Sequence, residues 1–246
     1  MTPIGRKKAL FIAHKLYVDF VYNMAHYEGN PFTYPDVKTT LEGITVGGHK
    51  ISDQEQVLRI ASGWQALINQ VKDNRFMVDQ ENFIHFNMLI ANNEALEVGT
   101  FRSGNVRIGG TDYKPPQAGD ELQKAFEIMM ENYYQESNPQ KKGFGLFLDA
   151  ARAQYFYDGN KRTAQLMMNG YFMDNGYPPV SLRPDVARIY NHKMIAFYET
   201  GDKAAMYDFL SEQQEKLAEE FKETTISSKG ANIYHKKLKQ EYSLSP

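Results

Sequence analysis

One short segment, residues 154–163, combines the residue types that would bind a phosphate. It reads QYFYDGNKRT, and the Asp-Gly-Asn at 158–160 is typical of a tight turn between two apolar helices. A loop that leads into a helix N-terminus presents free backbone N–H groups, which favour an anion. Lys161 and Arg162 add two positive charges at that place. The segment is therefore a candidate di- or triphosphate site.

A carboxylate beside these cations extends the same chemistry to a metal ion. Asp158 could hold Mg²⁺ between itself and phosphate oxygens, since Mg²⁺ prefers one or two carboxylates together with substrate oxygens. The segment is not a P-loop, because Asn160 stands where that motif has glycine and its first glycine is absent. The alternative is a plain helix–loop–helix turn with solvated charges, and spacing alone does not decide between the two.

The elements around this loop are predicted to be helical from apolar residues that recur every three or four positions. Thr33 is a plausible N-cap of the second helix, and a glycine or proline marks several of the helix ends. About nine helices are expected, at residues 6–27, 33–41, 52–72, 79–92, 120–134, 144–156, 163–174, 184–200 and 203–221.

Residues 99–116 interrupt the helical pattern. β-branched and polar residues alternate there around Gly109-Gly110, which predicts a two-stranded β-hairpin with a tight turn. An isolated hairpin is marginal in water, so it should lie against the helices. The expected fold is a single all-α domain with one β-hairpin, followed by a polar, solvated tail over residues 223–246.

Composition excludes several classes of protein. The 246 residues include no cysteine, which rules out disulfides, a thiol nucleophile and thiolate metal sites. A formal charge of −2 argues against binding to nucleic acid or to an anionic membrane. No apolar run approaches the ~18 residues of a membrane span, and the five apolar residues 9–13 are too few for a signal peptide. A cytoplasmic protein is expected.

Three stretches together resemble the Fic (Fido) family. Residues 154–165, QYFYDGNKRTAQ, are similar to its motif H-x-F-x-[D/E]-G-N-[G/K]-R-x-x-R, and LMMNGYFMDNGYPP continues the likeness. The stretch FVYNMAHYEGNPFTYPDVKTTLEGITVGG is similar to the N-terminal inhibitory helix of class II members, written [S/T]-x-x-x-E-[G/N]. The stretch GTFRSGNVRIGGTDYKPP is similar to the family's flap. The matches follow the family order over roughly residues 10–185.

The resemblance implies an adenylyltransferase that moves AMP from ATP to a Ser, Thr or Tyr hydroxyl of a protein target, with Mg²⁺ as cofactor. It divides the chain into an inhibitory region (1–50), a Fic core (51–222) and the tail. Phe156 would anchor the loop. The implied catalytic positions are Gln154, Asp158, Asn160 and Arg162. Nucleotide-binding positions are Gly159, Asn160, Lys161, Arg162 and Thr163, with Asp158 holding the metal through phosphate. Glu28 would be regulatory. An extended target would dock on the flap at Val106, Arg107, Ile108, Gly109 and Gly110.

Three positions depart from the family pattern. Gln154 stands where the family has its catalytic histidine, and a carboxamide does not take up a proton near neutral pH. Gln165 replaces the second motif arginine, so Glu28 lacks the partner that relatives give it. Met24 replaces the Ser/Thr that precedes the inhibitory glutamate. Loss of a general base typically costs ~10²–10⁴-fold in rate, so transfer is predicted to be weak.

Several alternatives remain open. Tyr155 or Tyr157 could replace the missing base, although an unperturbed phenol with a pKa of ~10 is a poor one at pH 7. The chain could instead be an inactive nucleotide- or protein-binding regulatory module. A DNA-binding role is weak because of the near-neutral charge. Relatives often form dimers, so a homodimer is considered, although no sequence feature indicates one.

Overall fold

A computed structural model describes residues 1–226 of the chain, with side chains described as far as residue 222. This part is all-helical, and it contains no β-strand. A 3₁₀ turn, Pro184–Val186, precedes the ninth helix. The ten α-helices are α1 (Arg6–Lys15), α2 (Tyr17–Tyr27), α3 (Tyr34–Leu41), α4 (Ile51–Lys72), α5 (Gln80–Ala91), α6 (Asp120–Gln135), α7 (Pro139–Ala153), α8 (Asn160–Asp174), α9 (Ala187–Thr200) and α10 (Ala204–Ile226).

Helix α8 lies at the centre of the fold. It packs against α1, α4, α5 and α7, and 12 of its 15 residues are buried. A helix that is buried on nearly all sides needs neighbours that come close. Gly63 on α4 allows this, because a Cβ there would overlap Ile90 of α5 and touch Leu166 of α8. The N-terminus of α8, where the candidate loop ends, is therefore held from several directions.

Several helix boundaries differ from the prediction. The predicted helix 6–27 is divided at Leu16, although helical bonds from Leu16 N to Ile12 O and from Phe20 N to Leu16 O continue across the division. Helix α7 begins at Pro139 rather than at residue 144, because the Asn138 side chain accepts from two amides of its first turn. Thr33 caps α3 as predicted.

The predicted β-hairpin is wrong. The chain does turn at residues 109–110, where Gly110 has φ of 81°, but no backbone ladder joins the two arms in the described structure. Side chains hold the segment instead. The buried Arg102 guanidinium donates to the carbonyls of Gly104 and Pro116, and Asn105 Oδ1 accepts from Ala118 N. Because these side chains close the segment, it needs no inter-strand bonds. We call residues 99–116 the flap.

Two further expectations concern the C-terminal tail and membrane-spanning helices. Helix α10 continues to Ile226, beyond the predicted end at residue 221, and the rest of the predicted tail, residues 227–246, lies outside the described residues. No helix between residues 1 and 226 has both the length and the apolar character needed to cross a membrane.

Candidate active site

The candidate loop begins at Gln154, where α7 ends. Gln154 adopts a left-handed conformation with φ of 52° and ψ of 62°, which is uncommon for a residue other than glycine. Its side-chain Nε2 donates to Ala151 O over 2.6 Å, and its Oε1 accepts from Asn160 Nδ2 over 3.1 Å. Both ends of the carboxamide are therefore engaged. Gln154 organises the loop in this arrangement, and its chemistry offers no proton acceptor.

Asn160 shapes the loop from the other end. Its Oδ1 accepts from Phe156 N over 2.9 Å, and its Nδ2 donates to Phe156 O over 2.7 Å and to Gln154. Phe156 is 1% exposed and packs into the core. Gly159 turns the backbone with φ of 74°, a conformation that favours glycine. One asparagine thus closes the loop within six residues of sequence.

Helix α8 starts at Asn160, three residues earlier than predicted, so Lys161 and Arg162 lie in its first turn. Thr163 N already donates to Gly159 O over 2.8 Å, while the preceding amides belong to the free N-terminal set of the helix. A cavity of about 180 Å³ opens here. Its lining residues come from the loop, from the start of α8 and from the end of α2: Glu28, Gln154, Tyr157, Asp158, Gly159, Asn160 and Lys161.

Arg162 faces the protein interior. Its side chain is 2% exposed; Nη1 donates to Ile90 O over 3.1 Å, and Nη2 lies 2.7 Å from Glu94 Oε2 and 2.9 Å from Asp158 Oδ1. Burial alone lowers the pKa of Arg162, but the surrounding carboxylates more than offset it, so its pKa lies above the ordinary value. The guanidinium therefore stays charged and holds the loop against the core.

Glu28 closes one side of the cavity at the end of α2. Its carboxylate lies 3.6 Å from Arg162 Nε and 3.9 Å from Lys161 Nζ, and its side chain is 19% exposed. Gln165 does not provide the arginine that relatives place there, and Glu28 has Arg162 and Lys161 as its cationic neighbours instead. The guanidinium of Arg162 is buried beneath it, and Arg162 Nε donates no hydrogen bond within the described residues.

Three residues of the site were missed by sequence reasoning. Asn87 of α5 is fully buried, and its Nδ2 donates to Asp158 O and Thr163 Oγ1. Arg102 of the flap donates from Nε to Gln154 O over 2.6 Å. Glu94 holds Arg162. All three act across 50 or more residues of sequence, so no local pattern marks them.

The predicted site residues divide into two groups. Gln154, Asp158, Gly159, Asn160, Lys161 and Glu28 line the cavity together, whereas Arg162 and Thr163 lie behind it. The flap positions Val106, Arg107, Ile108, Gly109 and Gly110 do not line it, whereas the flap residues Arg102 and Ser103 contact the loop. A larger cavity, about 390 Å³, lies where α6, α7 and α10 meet. Its lysines are exposed or already engaged, as in the 2.6 Å pair of Lys203 with Asp149.

The described residues form a helical fold whose central helix begins beside a cavity lined by Lys161 and Asp158. Comparison with known families agrees: residues 78–172 match the sequence model of the Fic/DOC family. This match confirms the expected resemblance to the Fic family over residues 78–172, a range that includes the candidate loop.

Curated relatives and solved structures give the same family name. Protein adenylyltransferase Fic of Aedes aegypti is 26% identical over 206 residues, covering 79% of this chain and 39% of that protein. The Drosophila willistoni protein of the same name is 26% identical over 205 residues, covering 81% and 40%. The chain thus spans about two fifths of the length of these relatives.

Two solved structures share the fold. Fic-1 (residues 134–508) from C. elegans superposes with a TM-score of 0.74 at 18% identity, covering 91% of this chain and 74% of the other. A Fic domain containing signalling protein from Bacteroides thetaiotaomicron gives a TM-score of 0.71 at 19% identity, covering 89% and 90%.

Proposed function

We propose that this chain is a Fic-type protein adenylyltransferase that transfers AMP from ATP to a hydroxyl group of a protein target, slowly, because Gln154 replaces the catalytic histidine. The observation that carries the proposal is the cavity at the start of α8, where free amides, Lys161 and Asp158 meet. Relatives that carry the name protein adenylyltransferase support the choice of reaction. In this proposal the core is residues 51–222 and the inhibitory region is residues 1–50.

Lys161 is proposed to hold phosphate directly, since it lines the cavity as a flexible point charge. Gly159, Asn160 and Thr163 would support the amides that face the same phosphates. Arg162 would reach a phosphate only after Glu28 moves away, because Glu28 lines the cavity and its carboxylate lies 3.6 Å from Arg162 Nε, whereas Arg162 itself does not line the cavity. Glu28 is thus proposed to regulate nucleotide entry through charge repulsion.

The residues present fit a divalent metal ion that is held with phosphate. Asp158 Oδ1 accepts from Arg162 and from Gly159 N, whereas Oδ2 has no hydrogen-bond partner among residues 1–226, and the side chain is 45% exposed. No cluster of three or more metal-ligating side chains occurs in that range. A single carboxylate suits Mg²⁺ that takes its other ligands from phosphate and water. When bound, the ion would neutralise charge on the phosphates.

The target protein is proposed to dock on the flap. Residues 106–108 have no regular secondary structure and residues 109–110 turn, and no backbone hydrogen bond joins residues 106–110 to other backbone groups of the described structure. An extended peptide that pairs with this backbone would satisfy those groups on both sides. Exposure alternates here, with Arg107 exposed and its neighbours Val106 and Ile108 partly buried, so one face of the flap remains available for side-chain selection.

Transfer of label from α-labelled ATP to protein tests the function. We expect slow labelling by the wild-type chain and a rise of about 10²–10⁴-fold in Gln154→His, because a general base is restored. Histidine is among the residues that tolerate a left-handed backbone, so this variant should fold. Lys161→Ala should lose ATP binding in calorimetry, whereas Lys216→Ala, which removes an exposed lysine of α10, should not. Absence of transfer from both the wild type and Gln154→His would refute the proposal.

A second candidate function follows from the locked carboxamide of Gln154. Because both of its ends are engaged, the chain would also suit a regulatory module that binds nucleotide without transferring it. Calorimetric binding of ATP that depends on Lys161, without any labelling at high protein concentration, would favour this candidate.

A further inference from the structure

A chain of hydrogen bonds leads away from the cavity through three side chains that no motif joins. Tyr157 lines the cavity in the loop before α8. Its hydroxyl lies 3.3 Å from Ser103 Oγ at the base of the flap. Ser103 Oγ donates to Glu97 Oε1 over 2.7 Å, and Ser103 N donates to Glu97 Oε2 over 3.2 Å. The chain thus ends on a carboxylate that one residue binds at both oxygens.

The chemistry of the three groups sets the direction of these bonds. An ionised carboxylate only accepts hydrogen bonds, so the Ser103 hydroxyl proton must point at Glu97. The Ser103 oxygen then has only lone pairs left for Tyr157, so Tyr157 must donate to it. The phenolic oxygen of Tyr157 therefore keeps its own lone pairs available to accept a proton from a group in the cavity.

The surroundings hold this chain in place. A Cβ at Gly104 would lie 2.6 Å from the Tyr157 hydroxyl, so only glycine leaves room for the phenol here. Arg102 joins the flap to the candidate loop, because it donates to Gly104 O of the flap over 2.7 Å and to Gln154 O of the loop over 2.6 Å. Tyr155, the other phenol of the loop, is 1% exposed, and burial raises its pKa well above the ordinary value. Tyr155 is thus unavailable as a base.

We propose that Tyr157, Ser103 and Glu97 form a proton relay that accepts the proton of the attacking hydroxyl, in place of the missing histidine. The inference rests on the proposed adenylyl transfer. The target oxygen bonds to the α-phosphorus of ATP, and the bond from that phosphorus to the bridging oxygen breaks, releasing pyrophosphate. The target proton passes to Tyr157, the Tyr157 proton to Ser103 and the Ser103 proton to Glu97, which then loses it to water. Tyr157 is the catalytic residue. Ser103 and Glu97 position it and carry the proton away from it.

A double-mutant cycle with Gln154→His separates the relay from a structural role. Tyr157→Phe should lower kcat for label transfer by about tenfold or more in the wild-type background, because the acceptor is lost. In the Gln154→His background the same change should cost less than about twofold, since histidine takes the proton. ATP affinity from calorimetry should stay unchanged in both. Tyr134→Phe, at a phenol on α6 that is 69% exposed, is the matched control.

Variants at the inner members of the relay add a second measurement. Ser103→Ala and Glu97→Gln should lower kcat as Tyr157→Phe does, with KM for ATP unchanged. Ser103→Thr keeps the hydroxyl and should restore the rate. A purely structural serine would be replaced by alanine and by threonine with similar effect.

The outcomes that overturn the relay differ from those that overturn the function. If the wild-type chain transfers AMP and Tyr157→Phe matches it, or if Tyr157→Phe loses as much in both backgrounds, the relay is wrong while the transferase stands. If the wild-type chain binds ATP but transfers none, the relay is also wrong. If no transfer occurs even in Gln154→His, the proposed function fails and the relay with it.

Discussion

Glu94 pairs with two arginines from different helices, and its charge should therefore contribute measurably to the free energy of unfolding. Its Oε2 lies 2.7 Å from Arg162 Nη2 and its Oε1 lies 2.6 Å from Arg59 Nη2. The Arg162 side chain is 2% exposed and that of Glu94 is 16% exposed. The pair is therefore shielded from water, and Glu94→Gln removes its charge without changing its shape.

Removing one partner of a buried ion pair typically costs ~3–5 kcal/mol. The lower end, about 3 kcal/mol, is expected here, because Arg162 keeps Asp158 at 2.9 Å and Glu94 retains some exposure. For a domain of this size, ~2–4 °C of melting temperature is lost per kcal/mol, so Tm should fall by ~6–12 °C.

Urea denaturation followed by circular dichroism measures this loss at pH 7. Glu212→Gln is the matched control, since it neutralises a glutamate whose lysine partner is exposed, with side chains 59% and 57% exposed. Such a surface pair contributes ~0–1 kcal/mol. The two glutamate variants carry the same net charge, so a difference between them isolates the buried position.

The pH dependence gives the result that would refute this reasoning. Burial raises the pKa of Glu94, but Arg162 and Arg59 lower it further, so its pKa lies below the ordinary value. A depressed folded-state pKa contributes stability that is present above the unfolded pKa of ~4.3 and is lost as the pH falls through the folded value. The difference in the free energy of unfolding between the wild type and Glu94→Gln should therefore disappear in acid. A difference in the free energy of unfolding of under about 0.5 kcal/mol at pH 7, as for a surface pair, would contradict the buried ion pair. A difference that persists in acid would also contradict it.

Two other positions give independent predictions. Gly159→Ala should destabilise the chain by ~2–4 kcal/mol in a urea titration, since φ of 74° strains any other residue and a Cβ would come within 3.0 Å of Ala91 Cβ and Asn87 Nδ2. Gly43→Ala is the control, because Gly43 has φ of 82° but open space around it. This variant should cost only ~1–2 kcal/mol in the same titration. Burial raises the pKa of Asp19 to about 6, so its folded form binds a proton more tightly than the unfolded chain. Stability should fall as the pH rises from about 4 to about 6, by ~3 kcal/mol, and Asp19→Asn should lack this decline; equal pH profiles for wild type and variant would contradict it.

The helices and the shape of the loop follow from short-range information. Thr33 caps its own helix, and apolar spacing places α4 within one residue of its prediction. In the loop, Asn160 bonds to Phe156 and Gln154, and Gly159 supplies the left-handed turn. Interactions within six residues need no distant partner, and a sequence motif can therefore record them.

The flap shows where pattern reasoning fails. Alternation and a Gly-Gly turn predict a hairpin, and the turn is present, yet Arg102 and Asn105 close the segment in place of a strand ladder. Alternation reports which side chains face the protein, and exposure does alternate over residues 103–108. It does not report which groups form hydrogen bonds with the backbone N–H and C=O groups.

By itself, the sequence determined an all-helical chain with a Fic-like loop, a missing histidine and a set of charges at one helix start. Only the tertiary structure decided what those charges contact. It buried Arg162 under Glu28 and Glu94, and it joined Tyr157 to Ser103 of the flap. The physical reason is distance along the chain: such pairs lie more than 50 residues apart, and packing around α8 brings them within hydrogen-bonding or ion-pair range.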